Sequence, residues 1–198
     1  MAVVVRTTGR RPRILGIGGT TRVASATERL LRISLAAAEV EGAKVDIVTG
    51  RALDVPMYAP GAARDEAAQR LVEAFRSCDG VIIASPSYHG SISGLLKNAL
   101  DYTEDLRSDR RVYFEGCAVG CICSAGGWQA AGQTLATLRA IVHALRGWPT
   151  PMGVIANTSL PLFDEQGQLI DEALRHQLEN VGRQVALFCA MMAGDVPH

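Results

Sequence analysis

No stretch of this sequence is long and apolar enough to cross a membrane, because no hydrophobic run reaches the ~18 residues that a spanning helix needs. An excess of charge is missing as well. The 20 Lys and Arg residues balance 20 Asp and Glu residues. That balance argues against a nucleic-acid partner and against attachment to anionic lipid. The opening MAVVVRTTGRRPR sets a short apolar patch before positive charge, the wrong order for a secretion signal. Residues 1–12 are expected to form a loose, basic, flexible tail, with residues 13–194 as one domain. A chain of 198 residues can bury roughly 70% of its unfolded surface in a single core.

CxxC spacing is absent from the five cysteines, Cys78, Cys117, Cys121, Cys123 and Cys189. Their odd number, without a secretion signal, points to reduced thiols and a cytoplasmic protein. Cys117, Cys121 and Cys123 share one parity in CAVGCICS, so a strand there turns all three to one face. A metal or redox cluster is one reading of them. Small apolar side chains filling a central strand is the other, and it is favoured because no histidine stands nearby. No metal site is expected.

What is present alternates. Short apolar runs at 13–18, 43–49, 80–85, 116–124 and 152–157 read as strands. Amphipathic stretches at 25–42, 64–78, 93–106, 130–147 and 171–194 read as helices, with Gly42 and Gly147 as stops. Strand followed by helix five times means parallel βαβ units in an α/β three-layer sandwich, with helices on both faces. In such sheets, ligands collect beyond the carboxyl ends of the strands. That rule selects the loops at 19–27, 86–93 and 124–131.

The first loop, in ILGIGGTTRVASATERLL, gathers Thr20, Thr21, Ser25 and Thr27 around Arg22 at the start of a helix. Free first-turn N–H groups, the helix dipole, hydroxyls and a guanidinium together suit an anion. A P-loop is excluded because no lysine occurs between Met1 and Lys44, and Thr21 stands where a dinucleotide fingerprint needs its third glycine. A terminal phosphate held by hydroxyls is the functional reading. Simple capping by Ser25 or Thr27, with Glu28 completing a capping box, is the structural one.

The second loop, in ASPSYHGSISGLLKNALDY, leaves its strand through Pro86 and turns on Gly90. Together, GIGGTTRVASAT, SPSYHGSISGLLKNALDY and CSAGGWQAAGQTLATLRAIV resemble the NADPH-dependent FMN reductase family of flavodoxin-like proteins. The resemblance spans residues 13–190. It implies a five-stranded parallel sheet in the order 2-1-3-4-5 and an FMN site. By that resemblance Thr20, Arg22, Ser25 and Thr27 bind the FMN phosphate. Pro86, Ser87, Tyr88, His89, Gly90 and Ser91 line the ring and ribityl chain. Ser124, Ala125, Gly126 and Gly127 contact the pyrimidine end. Lys97, Asn98 and Asp101 follow the family pattern on a helix, where packing or a subunit contact is their expected use.

The activity so implied is FMN-dependent NAD(P)H oxidoreduction, with hydride passing through FMN to free flavin, a quinone or a similar small acceptor. An alternative is an FMN-dependent dehydrogenase of a small cyclic acid in a biosynthetic pathway, and a further one is a flavodoxin-like electron carrier. His89 is the candidate proton donor, or else a bond to the flavin edge. Trp128, with Tyr102 and Tyr88, is a candidate wall of the substrate space. Arg107, Arg110 and Arg111 are a candidate cradle for the extra phosphate of NADPH. His143 is expected to be packed or at a subunit contact, and His176 exposed. The family habit implies a homodimer or homotetramer.

Overall fold

The computed structural model describes residues 10–22 and 24–193. Its elements, in chain order, are β1 (Arg13–Gly18), α1 (Ala26–Val40), β2 (Lys44–Val48), α2 (Glu66–Ser77), β3 (Gly80–Tyr88), β4 (Ser91–Ile92), α3 (Gly94–Asp101), β5 (Ala118–Ala125), α4 (Trp128–Ala144), β6 (Trp148–Asn157) and α5 (Glu172–Ala193). Five strands run parallel in the order β2-β1-β3-β5-β6. This is the expected 2-1-3-4-5 order of a flavodoxin-like sheet. The two-residue β4 is an addition, paired antiparallel to the end of β3.

The strands split their side chains by period two. Leu15, Ile17, Val81, Ile83, Val119 and Cys121 pack under α2, α3 and α4. Ile14, Ile82, Ala84, Ile122 and Val154 pack under α1 and α5. Every residue of β5 is buried, as a central strand with both faces covered requires. Cys117, Cys121 and Cys123 do share one face, inside the first of these layers. All five cysteines are free and buried, and burial pushes the Cys121 thiol up to about 12. Among the described residues, no three His, Cys, Asp or Glu side chains gather as metal ligands.

The two helices of the second layer approach very closely. The Ser34 hydroxyl donates to the Leu178 carbonyl at 2.7 Å. A Cβ on Gly182 would lie 1.9 Å from the Ser34 carbonyl oxygen. Glycine is required there by the approach of two backbones.

Several expectations need correction. β6 begins at Trp148, before the expected 152, and runs through Pro149 and Pro151. It is an edge strand, where a missing N–H is tolerated. The left-handed residue after α4 is Arg146 (φ 62°), so Gly147 is not the stop. Gly147 instead makes room, since a Cβ there would meet Val119 Cγ2 at 2.9 Å and Val142 Cγ1 at 3.0 Å. The helix expected over 93–106 ends at Asp101, and Tyr102–Leu106 tightens into a 3-10 turn. Residues 1–9 of the expected tail lie outside the described residues. Arg10 pairs with Asp79 at 2.6 Å, and the Pro12 carbonyl accepts from Lys44 N–H at 2.8 Å.

Candidate functional site

The three loops selected by the sheet rule meet at the carboxyl edge of the strands, and hydrogen bonds join each to the others. From the first loop, Gly19 N–H donates to Ala84 O at 2.8 Å. Ser93 Oγ, in the second, donates back to Gly19 O at 2.6 Å while capping α3 by accepting from Leu96 N–H at 3.1 Å. A Cβ on Gly19 would stand 2.8 Å from both Ser93 Oγ and Leu96 Cβ. Only glycine lets the loop seat against α3 so closely. Between the first and third loops, Thr27 Oγ1 and Ser124 Oγ share a buried 2.8 Å hydrogen bond. Between the second and third, Ser87 Oγ accepts from Thr134 Oγ1 at 2.6 Å and donates to Ala130 O at 3.3 Å.

Within the first loop, the Thr20 hydroxyl is half-buried and accepts from Arg22 N–H at 3.1 Å. The Arg22 side chain is exposed. Ser25 is the N-cap of α1 and accepts from Glu28 N–H at 3.1 Å. The Glu28 carboxylate turns to Arg32 instead, at 2.6 Å and 3.0 Å, so half of the expected capping box is formed. A hydroxyl that accepts an N–H keeps its own proton to donate. Thr20 and Ser25 therefore hold the loop's shape and remain donors. The first-turn amides of Ala26 and Thr27 have no intrahelical acceptor.

The second loop is a tight hairpin. Tyr88 pairs with Ser91, and His89 (φ 52°) and Gly90 (φ 77°) form the turn between them. Two consecutive left-handed residues are the mark of the type I′ turn, which favours Asn-Gly. Tyr88, His89 and Ser91 are exposed, and Pro86, Ser87 and Gly90 half-buried. In the third loop, Ser124 and Ala125 are buried, Gly126 is exposed and Gly127 is the N-cap of α4. Trp128 follows, 55% exposed.

Other residues are placed elsewhere. Tyr102 is 2% exposed and donates to Pro56 O at 2.9 Å, so it cannot wall a substrate space. Arg111 lies at the far, amino edge of the sheet, bonded to the carbonyls of Phe75, Arg76 and Cys78. Arg107 faces Glu104 at 3.6 Å. That cluster lies on the chain leading into β5, and the structure does not bring Arg107 or Arg111 to the three loops. His143 is exposed on α4, not packed, and His176 is exposed on α5. Asn98 is buried and clamps the chain after β2, accepting from Tyr58 N–H at 2.8 Å and donating to Val55 O at 3.3 Å and Pro56 O at 3.0 Å. Lys97 and Asp101 pair with each other at 2.6 Å.

Sequence reasoning missed Ser85, Ser93, Thr134 and Ser159. Ser85 Oγ is buried and accepts from Ser93 N–H at 3.1 Å. Ser93 carries a readable signal, a serine directly before a helix. The others are ordinary polar residues until the loops are brought together.

Residues 12–159, which include all three loops, match a single family description over most of the chain. The chain belongs to the NADPH-dependent FMN reductase family. Among curated members, it is 33% identical over 129 residues to the NADH:(hydroxy)cinnamate reductase subunit CrdA of Vibrio ruber, covering 62% of this chain and 60% of that one. It is 38% identical over 97 residues to an FMN-dependent NADPH-azoreductase of Staphylococcus aureus, covering 49% of this chain and 48% of that one. The chain thus spans about half to three-fifths of the length of these relatives. Solved structures share the fold. The flavoenzyme NAD(P)H:(acceptor) oxidoreductase FerB from Paracoccus denitrificans gives a TM-score of 0.73 at 18% identity, over 91% of this chain and 98% of that one. An oxidoreductase from Corynebacterium diphtheriae gives 0.71 at 18% identity, over 92% and 99%.

Proposed function

We propose that the chain is an FMN-dependent NAD(P)H oxidoreductase that passes hydride through FMN to a flavin, a quinone or a similar small acceptor. The observation that carries this reading is the donor set at the start of α1. Thr20 and Ser25 each keep a hydroxyl proton to give, Arg22 adds a cationic fork, and the loop from Gly19 to Thr27 contains no carboxylate. That chemistry fits a phosphate monoester better than a sugar or a bare ring. Thr27 reaches the same site while bonded to Ser124, which keeps the third loop beside the first.

FMN, when bound, supplies the hydride and electron transfer itself. The chain supplies position and electrostatics. Arg22, Thr20, Ser25 and Thr27 hold the phosphate. Pro86, Ser87, Tyr88, His89, Gly90 and Ser91 border the ring and its ribityl chain. Ser124, Ala125, Gly126 and Gly127 face the pyrimidine end. His89 and Tyr88, both exposed on the hairpin tip, form the open margin that an acceptor would meet, and His89 there can bond the ring edge or hold a proton for the acceptor. The five free thiols suit a reducing cytoplasm. Exposed Trp128 supports a homodimer or homotetramer with α4 at the contact.

The test is purification without added flavin, titration with FMN followed by fluorescence, and then anaerobic addition of NADH or NADPH. Saturable quenching, and loss of the yellow absorbance on adding a nicotinamide, are expected. Failure to take up FMN, or uptake without reduction by either nicotinamide, overturns the reading.

A further inference from the structure

β5 ends at Ala125, and the two carbonyls at its end are both taken by the chain leaving β6. Thr158 N–H donates to Ala125 O at 2.7 Å. Ser159 Oγ donates to Gly126 O at 2.6 Å. Ser159 is itself held, because its N–H donates to Asn157 Oδ1 at 3.0 Å in an Asx turn. Asn157 is in register with Ala125, so Asn157–Ser159 forms a bracket against the third loop.

Peptide planarity converts this bracket into a direction. In a trans peptide the C=O of one residue and the N–H of the next point opposite ways. Fixing the Ala125 and Gly126 carbonyls on the β6 side therefore turns the Gly126 and Gly127 N–H groups away from it. β5 lies between β3 and β6, so both amides turn toward the Pro86–Gly90 hairpin that follows β3. Among the described residues, neither amide has a backbone acceptor. A Cβ on Gly127 would meet nothing within 4 Å, so the space around that residue is open. Two successive free amides turned one way form a small anion-binding concavity.

We propose that Ser159 is a positioning residue. By anchoring the Gly126 carbonyl it aims the Gly127 amide, beside that of Gly126, at the acceptor-bearing edge of the flavin. This rests on the FMN reading above. Donor amides match the pyrimidine end of the ring, which carries the ring's oxygen acceptors, whereas the dimethylbenzene end carries none. The peptide that Ser159 anchors is flanked by two glycines, so nothing intrinsic to it resists rotation. The hydroxyl is the group that selects one orientation. Such amides bond a negatively charged ring edge more strongly than a neutral one. Ser159 therefore biases the site toward the reduced cofactor and contributes little to holding the oxidised one.

The experiment titrates FMN, oxidised and anaerobically reduced, into the wild-type protein, Ser159→Ala and Ser159→Thr, with a thermal melt of each. In Ser159→Ala, oxidised FMN binds within about twofold of wild type while the preference for reduced FMN falls about tenfold, equivalent to about 30 mV for a two-electron couple. Ser159→Thr keeps the hydroxyl and recovers the preference. An unchanged preference in Ser159→Ala, or an equal loss for both oxidation states with a lowered melt, overturns the proposal in favour of a purely structural serine. Wild-type protein that binds FMN in neither state overturns the FMN reading itself, and this one with it.

Discussion

Thr27 Oγ1 and Ser124 Oγ stand 2.8 Å apart, both buried, though 97 residues separate them in sequence. One belongs to the first turn of α1 and the other to the last residues of β5. Their bond crosses the site and ties the loop expected to hold phosphate to the loop expected to hold the ring. Removing one partner leaves the other hydroxyl buried with an unmet bond, which costs about 1–3 kcal/mol. Thr27→Val and Ser124→Ala should each destabilise the protein by that order. The double variant should cost less than the sum, because it strands neither group. Chemical denaturation of the four proteins checks this, and strict additivity would deny the coupling.

Arg22 is the only side chain in the first loop that brings full positive charge. Arg22→Ala should weaken FMN binding about tenfold or more, as expected for a charge-assisted bond to phosphate. His89→Ala should weaken it less, because its residue sits on the hairpin tip. Fluorescence titration of both variants decides, and equal affinities would remove Arg22 from the phosphate site.

Gly182 faces the Ser34 carbonyl with no room for a methyl group. Gly182→Ala must push α5 off α1 and strain the bond from Ser34 Oγ to Leu178 O. The expected loss is about 3 kcal/mol or more, at the upper end for overpacking. A thermal melt that stayed within a degree of wild type would show that the helices separate without cost.

Arg64 grips Asp105 with two bonds, at 2.7 Å and 2.8 Å, and its guanidinium holds the Asp105 carboxyl below its usual range. A carboxyl lowered on folding contributes stability that is complete above its ordinary titration, near pH 4, and is lost as pH falls through the lowered value. Asp105→Asn should therefore cost about 1–3 kcal/mol at neutral pH. The gap between variant and wild type should close as the solution is acidified below about pH 4. A gap independent of pH would assign the cost to packing.

The parallel three-layer architecture was legible because five apolar runs alternate with five amphipathic ones, whereas the strand order came from the family resemblance. The first loop was legible because Thr20, Arg22, Ser25 and Thr27 lie within eight residues of each other. What escaped depends on contacts distant in sequence. Tyr102 reads as a candidate aromatic wall, yet it lies one turn after buried Asn98, and both bond the Pro56 carbonyl. The early start of β6 was hidden by two prolines that would disqualify an interior strand. Arg146 takes the left-handed position beside a glycine better suited to it, because Gly147 is committed to the space against Val119. His89 occupies the first central position of a type I′ turn, a backbone that asparagine adopts more readily, so the sequence alone did not mark the turn.

Both margins of the sheet are guarded, in different ways. β2 carries Lys44 and Asp46 on one border, and β6 places Pro149 and Pro151 on the other. Charge discourages a passing strand from adding to the first, and absent amide hydrogens deny it partners along the second. Growth by strand addition, the usual road to fibrils, is thereby disfavoured where these residues stand on either rim.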